Sequence, residues 1–170
     1  MFNASQNLIT DFKFPYLFNS DFQISGGIDM IKKDSSFFNL NSKFILEYLI
    51  KNNLSLGALI LNNNSTNLIG ETYSSTSVNS FGFTFNSNQQ DNRINPTRGH
   101  SISSDLSYGW KQTYNLDSSQ SNILRTPNFY ANLNFENYFK ILKRSTLKLG
   151  ILASSIQNEI LYENEFSRIG

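Results

Sequence analysis

Cysteine is absent from the 170 residues, histidine occurs once, and valine occurs once. The first absence excludes disulfides, zinc ribbons, iron–sulfur clusters and thiol nucleophiles together. With His100 alone, no histidine-based metal site can be assembled, and no metal partner is expected. Charge of one sign is also lacking: 14 basic residues stand against 13 acidic ones, so the chain carries no field that would attract nucleic acid. Long hydrophobic runs are missing too. The best, Leu54 to Leu61, is interrupted by Ser55 and Gly57 and falls well short of the roughly 18 apolar residues of a membrane helix. A helical membrane protein is therefore excluded. Met1 to Gln6 has neither a basic nor an apolar leader region, so the chain reads either as an internal protein or as a piece of something longer.

What is present is aromatic and amide-rich: 15 Phe and 8 Tyr beside 24 Asn and 24 Ser. These residues alternate. Phe12, Phe14, Tyr16 and Phe18 share one parity; Phe22, Ile24, Ile28 and Met30 alternate with Asp21, Gln23, Ser25, Gly27 and Asp29. Phe44, Leu46, Tyr48 and Ile50 precede the turn Lys51-Asn52-Asn53, and Leu54, Leu56, Ala58 and Ile60 follow it, which is a hairpin pattern. Phe81, Phe83 and Phe85, then Ile102, Leu106, Tyr108 and Trp110, then Phe129, Ala131, Leu133 and Phe135, and finally Leu147, Leu149 and Ile151 continue it. A period of two predicts strands, and no stretch has the 3.6-residue period of a helix. Eight strands are expected, at 10–18, 20–33, 36–50, 53–62, 76–91, 100–112, 126–140 and 145–157, within one all-β, antiparallel, up-and-down domain.

Alternation fits a soluble sandwich as well as a membrane barrel, since both have one dry and one wet face. Three features favour the barrel. The segments have the length of strands tilted across a bilayer. Short turns at Lys51-Asn52-Asn53 and Lys143-Arg144 alternate with longer polar stretches, Asn62 to Asn79 and Lys111 to Thr126. Aromatics gather toward strand ends, at Tyr16, Phe18, Tyr108, Trp110, Tyr138 and Phe139, as an interfacial girdle requires. On this basis the chain is expected to be a partial transmembrane β-barrel with membrane lipid outside and a wet lumen inside, where Asp29, Glu47, Asp105, Glu136 and Lys148 would sit.

Asp91-Asn92-Arg93-Ile94-Asn95-Pro96-Thr97-Arg98-Gly99, followed by an alternating strand, resembles the D-x(3–4)-P-T-x-G signature of the BamA/TamA-type outer-membrane assembly barrels, the bacterial surface antigen superfamily. A second likeness lies in Glu163-Asn164-Glu165-Phe166-Ser167-Arg168-Ile169-Gly170, where Glu163, Glu165, Phe166, Arg168 and Gly170 look like the segment that leads into that family's long inward-folded loop. The resemblance covers about 80 residues by motif and the rest by pattern. It implies the middle half of a sixteen-strand barrel, with residues 158–170 starting the inward loop. It also implies a role in inserting or exporting other outer-membrane proteins, a bacterial outer-membrane location, and unfolded outer-membrane proteins as partners of the full-length protein. By the residues alone, Asp91, Pro96, Thr97, Arg98 and Gly99 form a turn in which Pro fixes φ and Gly permits a positive one, with Asp91 and Arg98 placed to pair across it. Gly26-Gly27 is expected to mark a bend or bulge. No nucleophile elbow, zinc-binding HExxH, P-loop or dinucleotide fingerprint occurs, so no catalytic residue and no cofactor is expected. A small closed β-barrel that holds a ligand, or a passive pore, is the alternative.

Overall fold

The computed structural model describes residues 5–33, 37–51, 53–67, 75–114, 123–142 and 145–158. Eight strands run through them: β1 (Ser5–Phe14), β2 (Phe22–Lys33), β3 (Phe37–Lys51), β4 (Leu54–Asn67), β5 (Ser75–Asn88), β6 (Gly99–Tyr114), β7 (Ile123–Leu142) and β8 (Ser145–Asn158). They form one sheet in sequence order, each strand antiparallel to the next, and β1 does not pair with β8. The sheet is a curved, unclosed meander. No α-helix occurs among the described residues.

Side-chain parity explains why the sheet curls. Along each strand one set of side chains faces inward and the other outward. The inward set contains the most buried residues, nearly all of them polar: Gln23, Glu47, Ser55, Thr76, Ser80, Thr84, Asp105, Ser107, Lys111, Thr113, Thr126 and Asn128, with Leu59 the one buried apolar residue among those described. The outward set is the apolar one. This is the reverse of a water-soluble core, in which burial selects apolar residues.

Glycine supplies the room for the curl. Gly57, Gly82 and Gly109 lie on the inward face of three successive strands, opposite Glu47, Ser107 and Ser80 in register. A Cβ on Gly57 would come within 2.7 Å of the Glu47 side chain, and one on Gly109 or Gly82 would run into the neighbouring strand's backbone. Side chains missing from the concave side let adjacent strands approach more closely there than on the convex side. Gly26-Gly27, by contrast, produces no bulge: the register runs unbroken through both residues, and Gly26 lies beneath the Phe12 ring. The irregularities fall instead between Leu49 and Lys51 and between Lys140 and Leu142, each beside a very short connection.

Several strand boundaries differ from the sequence pattern, among them the start of β1, at Ser5 rather than 10, and the end of β5, at Asn88 rather than 91. The first strand ends at Phe14, because Tyr16, Phe18 and Asn19 adopt left-handed backbone conformations around a single 3-10 turn, Leu17–Asn19. The apolar parity of Tyr16 and Phe18 thus belongs to a connection, and Phe18 is almost fully exposed. β4 continues to Asn67 and β7 covers Ile123–Leu142, longer than the apolar alternation alone suggests. Polar residues occupy both faces of the β4 extension, so no alternation marks it.

Candidate functional site

On the outward face the apolar residues form a band. Ile60, Phe81, Phe83, Leu106, Tyr108, Leu149 and Ile151 are all exposed, Phe83 to 75%. Its upper edge crosses the register lines obliquely. On β3 outward apolar residues continue past Ser42 to Leu40 and Phe38, but on β4 the residue opposite Phe44, Ile60, is already the last member, and Asn62 and Asn64 follow. By β8 it ends at Ala153, with Ser155 and Gln157 beyond. Such an offset is what tilted, staggered strands produce in a barrel. Above the band on β4 and β5 lies a belt of hydrogen-bonded side chains: Asn62 donates to Asn79, Asn64 to Asn62 (2.6 Å) and Ser77 to Asn64 (2.6 Å). Trp110 stands in the same register row as Asn79, stacked edge-on with Tyr108 and covered by the Arg125 guanidinium at 4.8 Å. An aromatic ring with a polar cap suits a boundary between apolar and wet surroundings.

Across β3 to β6 the inward face is a packed, mostly polar layer, whereas at β1 and β8 it is exposed and carries Ile9, Leu152 and Ile156. Asp29, Glu47, Asp105, Glu136 and Lys148 all lie on it, in three separate groups and one single residue. Glu47 is 5% exposed and accepts three hydrogen bonds from neutral donors, Gln23 Nε2 (2.6 Å), Ser55 Oγ (2.8 Å) and Asn86 Nδ2 (2.7 Å). Asp105 meets Lys43 Nζ at 2.7 Å. Glu136 pairs with Lys148 at 2.7 Å and accepts from the Tyr138 hydroxyl, while the Lys148 ammonium lies 5.6 Å from the Tyr138 ring. Asp29 has one buried oxygen without a hydrogen-bond partner. Glu47 and Asp105 are thus enclosed by partners rather than open to a wide lumen.

The Lys43–Asp105 bridge measures the curl. In register, Lys43 of β3 is opposite Leu61, Ser80 and finally Gly109 of β6, so Asp105 lies three strands across and four residues along. On a flat sheet that is about 14 Å by about 13 Å, hence roughly 19 Å between backbones. A lysine and an aspartate span it only where the inward face closes on itself. Nothing in the sequence marks Lys43, Gln23, Ser55 or Asn86 as partners of these acids beyond their inward parity.

The signature residues form one connection, 89–98, between β5 and β6. Asp91 is its hub: its carboxylate accepts from the Thr97 N–H (2.8 Å), the Thr97 hydroxyl (2.6 Å) and the Arg98 N–H (3.1 Å), while its own N–H donates to the Arg98 carbonyl (3.1 Å). Asn92 Oδ1 caps Ile94 N and Asn95 N within the same turn. These bonds, led by the Thr97 hydroxyl, hold the Asp91 carboxyl well below the ordinary carboxylate range. Asp91 therefore engages the backbone of Arg98. Gly99 closes the turn at φ 101°, where a Cβ would strike the Gln89 carbonyl, so both conformation and space demand glycine. Pro96 and Thr97 are half-buried in this turn. His100 follows it, and its carbonyl accepts from Gln89 N.

Glu163, Glu165, Phe166, Arg168 and Gly170 lie outside the described residues, as does the turn at Lys143-Arg144. Among the described residues no group of three His, Cys, Asp or Glu side chains could hold a metal ion. Comparison with family models, with curated proteins and with solved structures finds no match to this chain.

Proposed function

We propose that this chain is a wall segment of a transmembrane β-barrel in a bacterial outer membrane, of the type that inserts or exports other outer-membrane proteins. It acts without catalysis. The observation that carries the membrane assignment is the reversed polarity of the sheet: Phe81, Phe83, Leu149 and Ile151 point out, while Glu47, Asp105 and Lys111 are buried within. Lipid is the solvent that rewards that arrangement, and in lipid the unpaired edges of β1 and β8 each need a neighbouring strand, since every unsatisfied backbone group in hydrocarbon costs several kcal/mol. The assembly or translocation role is supported by the Asp91–Gly99 turn, whose residues resemble that family's signature and here hold one another in a single cap. Unfolded outer-membrane proteins would be the substrates of the complete protein.

An eight-strand barrel closed by β1 on β8, acting as a ligand holder or small pore, is the alternative, and the Lys43–Asp105 bridge favours it because so tight a curl suits few strands. Refolding the chain from urea, with and without detergent or short-chain lipid, separates these proposals. β-structure that forms only with detergent, by circular dichroism, supports the lipid-facing surface, and a compact, heat-modifiable gel band identifies self-closure. A soluble monomer that melts cooperatively in plain buffer overturns the membrane assignment.

A further inference from the structure

The end of the sheet that carries connections 15–21, 52–53 and 89–98 holds a cavity of about 660 Å³. Lys13 at the end of β1, Lys51 at the end of β3 and Arg93 in the signature turn all line it, and Glu47 is the only acid among its lining residues, which gives three cations against one anion. Glu47 sits in the floor and is held by Gln23, Ser55 and Asn86, all neutral donors. The floor is built rather than incidental, since Glu47 and Gln23 are each 5% exposed. Lys13 and Lys51 are exposed at the rim, and Arg93 beside them is exposed but already engaged.

We infer that this cavity is a binding site for an acidic peptide segment in extended conformation. Three features select that class. The cationic rim attracts carboxylates and raises the rate of encounter with an anionic chain. Of the wall amides, Asn86 Nδ2 is taken by Glu47 and Asn88 Oδ1 by Gln90 N, which leaves Asn86 Oδ1, Asn88 Nδ2 and the Asn53 amide as acceptors and donors to match the alternating N–H and C=O groups of a peptide backbone. Glu47 at the floor repels a ligand whose whole surface is anionic, such as a phosphate-rich polymer, yet tolerates a peptide that turns N–H groups toward it. The site neither requires the membrane assignment nor follows from it, because its residues line the inward face and the turns.

The test uses the full chain, folded in nonionic micelles or, if it folds there, in plain buffer, with circular dichroism as the check on folding. Fluorescence anisotropy follows a fluorescein-labelled six-residue peptide of alternating aspartate and serine. Binding is expected to weaken about tenfold in the Lys13→Gln/Lys51→Gln double variant, because each exposed ion pair contributes a modest amount. It should weaken as salt rises, and it should be unchanged in Lys32→Gln, which lies on the outward face. Equal binding of the same peptide with asparagine in place of aspartate overturns the proposal. So does unchanged affinity in the double variant, or complete displacement by millimolar inorganic phosphate, which would mark a plain oxyanion site. Both lysines are exposed, so their loss leaves the fold intact, and failure of peptide binding leaves the detergent dependence of folding unaffected.

Discussion

Replacing Phe83 with arginine tests which solvent the outward face meets. Phe83 lies in the middle of the three outward phenylalanines of β5, between Ala58 of β4 and Leu106 of β6, and is 75% exposed. In water, a substitution at so exposed a position changes stability by less than about 0.5 kcal/mol, and removing a bare aromatic improves solubility. In a bilayer the same arginine lies near the midplane, where it costs about 2–4 kcal/mol. That is roughly a 30- to 900-fold fall in the folding equilibrium constant. Urea titration of the chain in phosphatidylcholine vesicles, followed by the fluorescence of Trp110, the single tryptophan, measures the difference. Asn79→Arg is the internal control. It occupies the polar belt four residues away on the same face, where an arginine costs about 0–1 kcal/mol because depth governs the penalty. Equal stability of Phe83→Arg and the parent in vesicles would refute the lipid-facing band.

Three further outcomes are expected. Gly99→Ala should lower the urea midpoint by an amount equivalent to about 1–3 kcal/mol, since the new side chain meets both a positive φ and the Gln89 carbonyl; an unchanged midpoint would contradict the turn geometry. Because the folded Asp91 carboxyl titrates below its ordinary value of 3.8, the turn's contribution is complete above that pH and is lost as pH falls toward the depressed folded value. The protection of the Thr97 and Arg98 amides, taken relative to the intrinsic exchange rate at each pH, should accordingly stay high at pH 5 and fall only in stronger acid, whereas in Asp91→Ala it should be low at both. A double-mutant cycle on Lys43 and Asp105 should return a coupling of about 1 kcal/mol, although the residues sit three strands apart; a coupling near zero would mean that the sheet is flatter in solution.

The period-two alternation made the strands and their parity readable, because a strand buried on one face repeats its chemistry every second residue. Phe81-Phe83-Phe85 and Leu147-Leu149-Ile151 are clear examples. The same rule misplaced the end of β1, since Tyr16 and Phe18 continue the apolar parity through a turn set by left-handed backbone angles at Tyr16, Phe18 and Asn19. The turn residues Asn19-Ser20-Asp21 were the better signal there. At the site, the types of residue on the inward face were legible but their partners were not. Asp105 finds Lys43 through the curvature of four strands, and no local pattern encodes that distance. The Asp91–Gly99 turn lies at the opposite extreme: its side chains bond to backbone only a few residues away, so its sequence and its geometry are nearly the same statement.

The inward glycines carry a further consequence. A sheet bent by bulges has its curvature fixed by backbone register, and changing it requires inserting or deleting a residue. Here, at Gly57, Gly82 and Gly109, the curvature is set by how little volume occupies the concave side. It is therefore sensitive to point substitution. A methyl group at Gly82 or Gly109 would strike a carbonyl of the next strand, so it must force two strands apart and widen the arc at the expense of their pairing. In this wall, curvature and strand pairing are set by the same few missing side chains, and a mutation there trades one against the other.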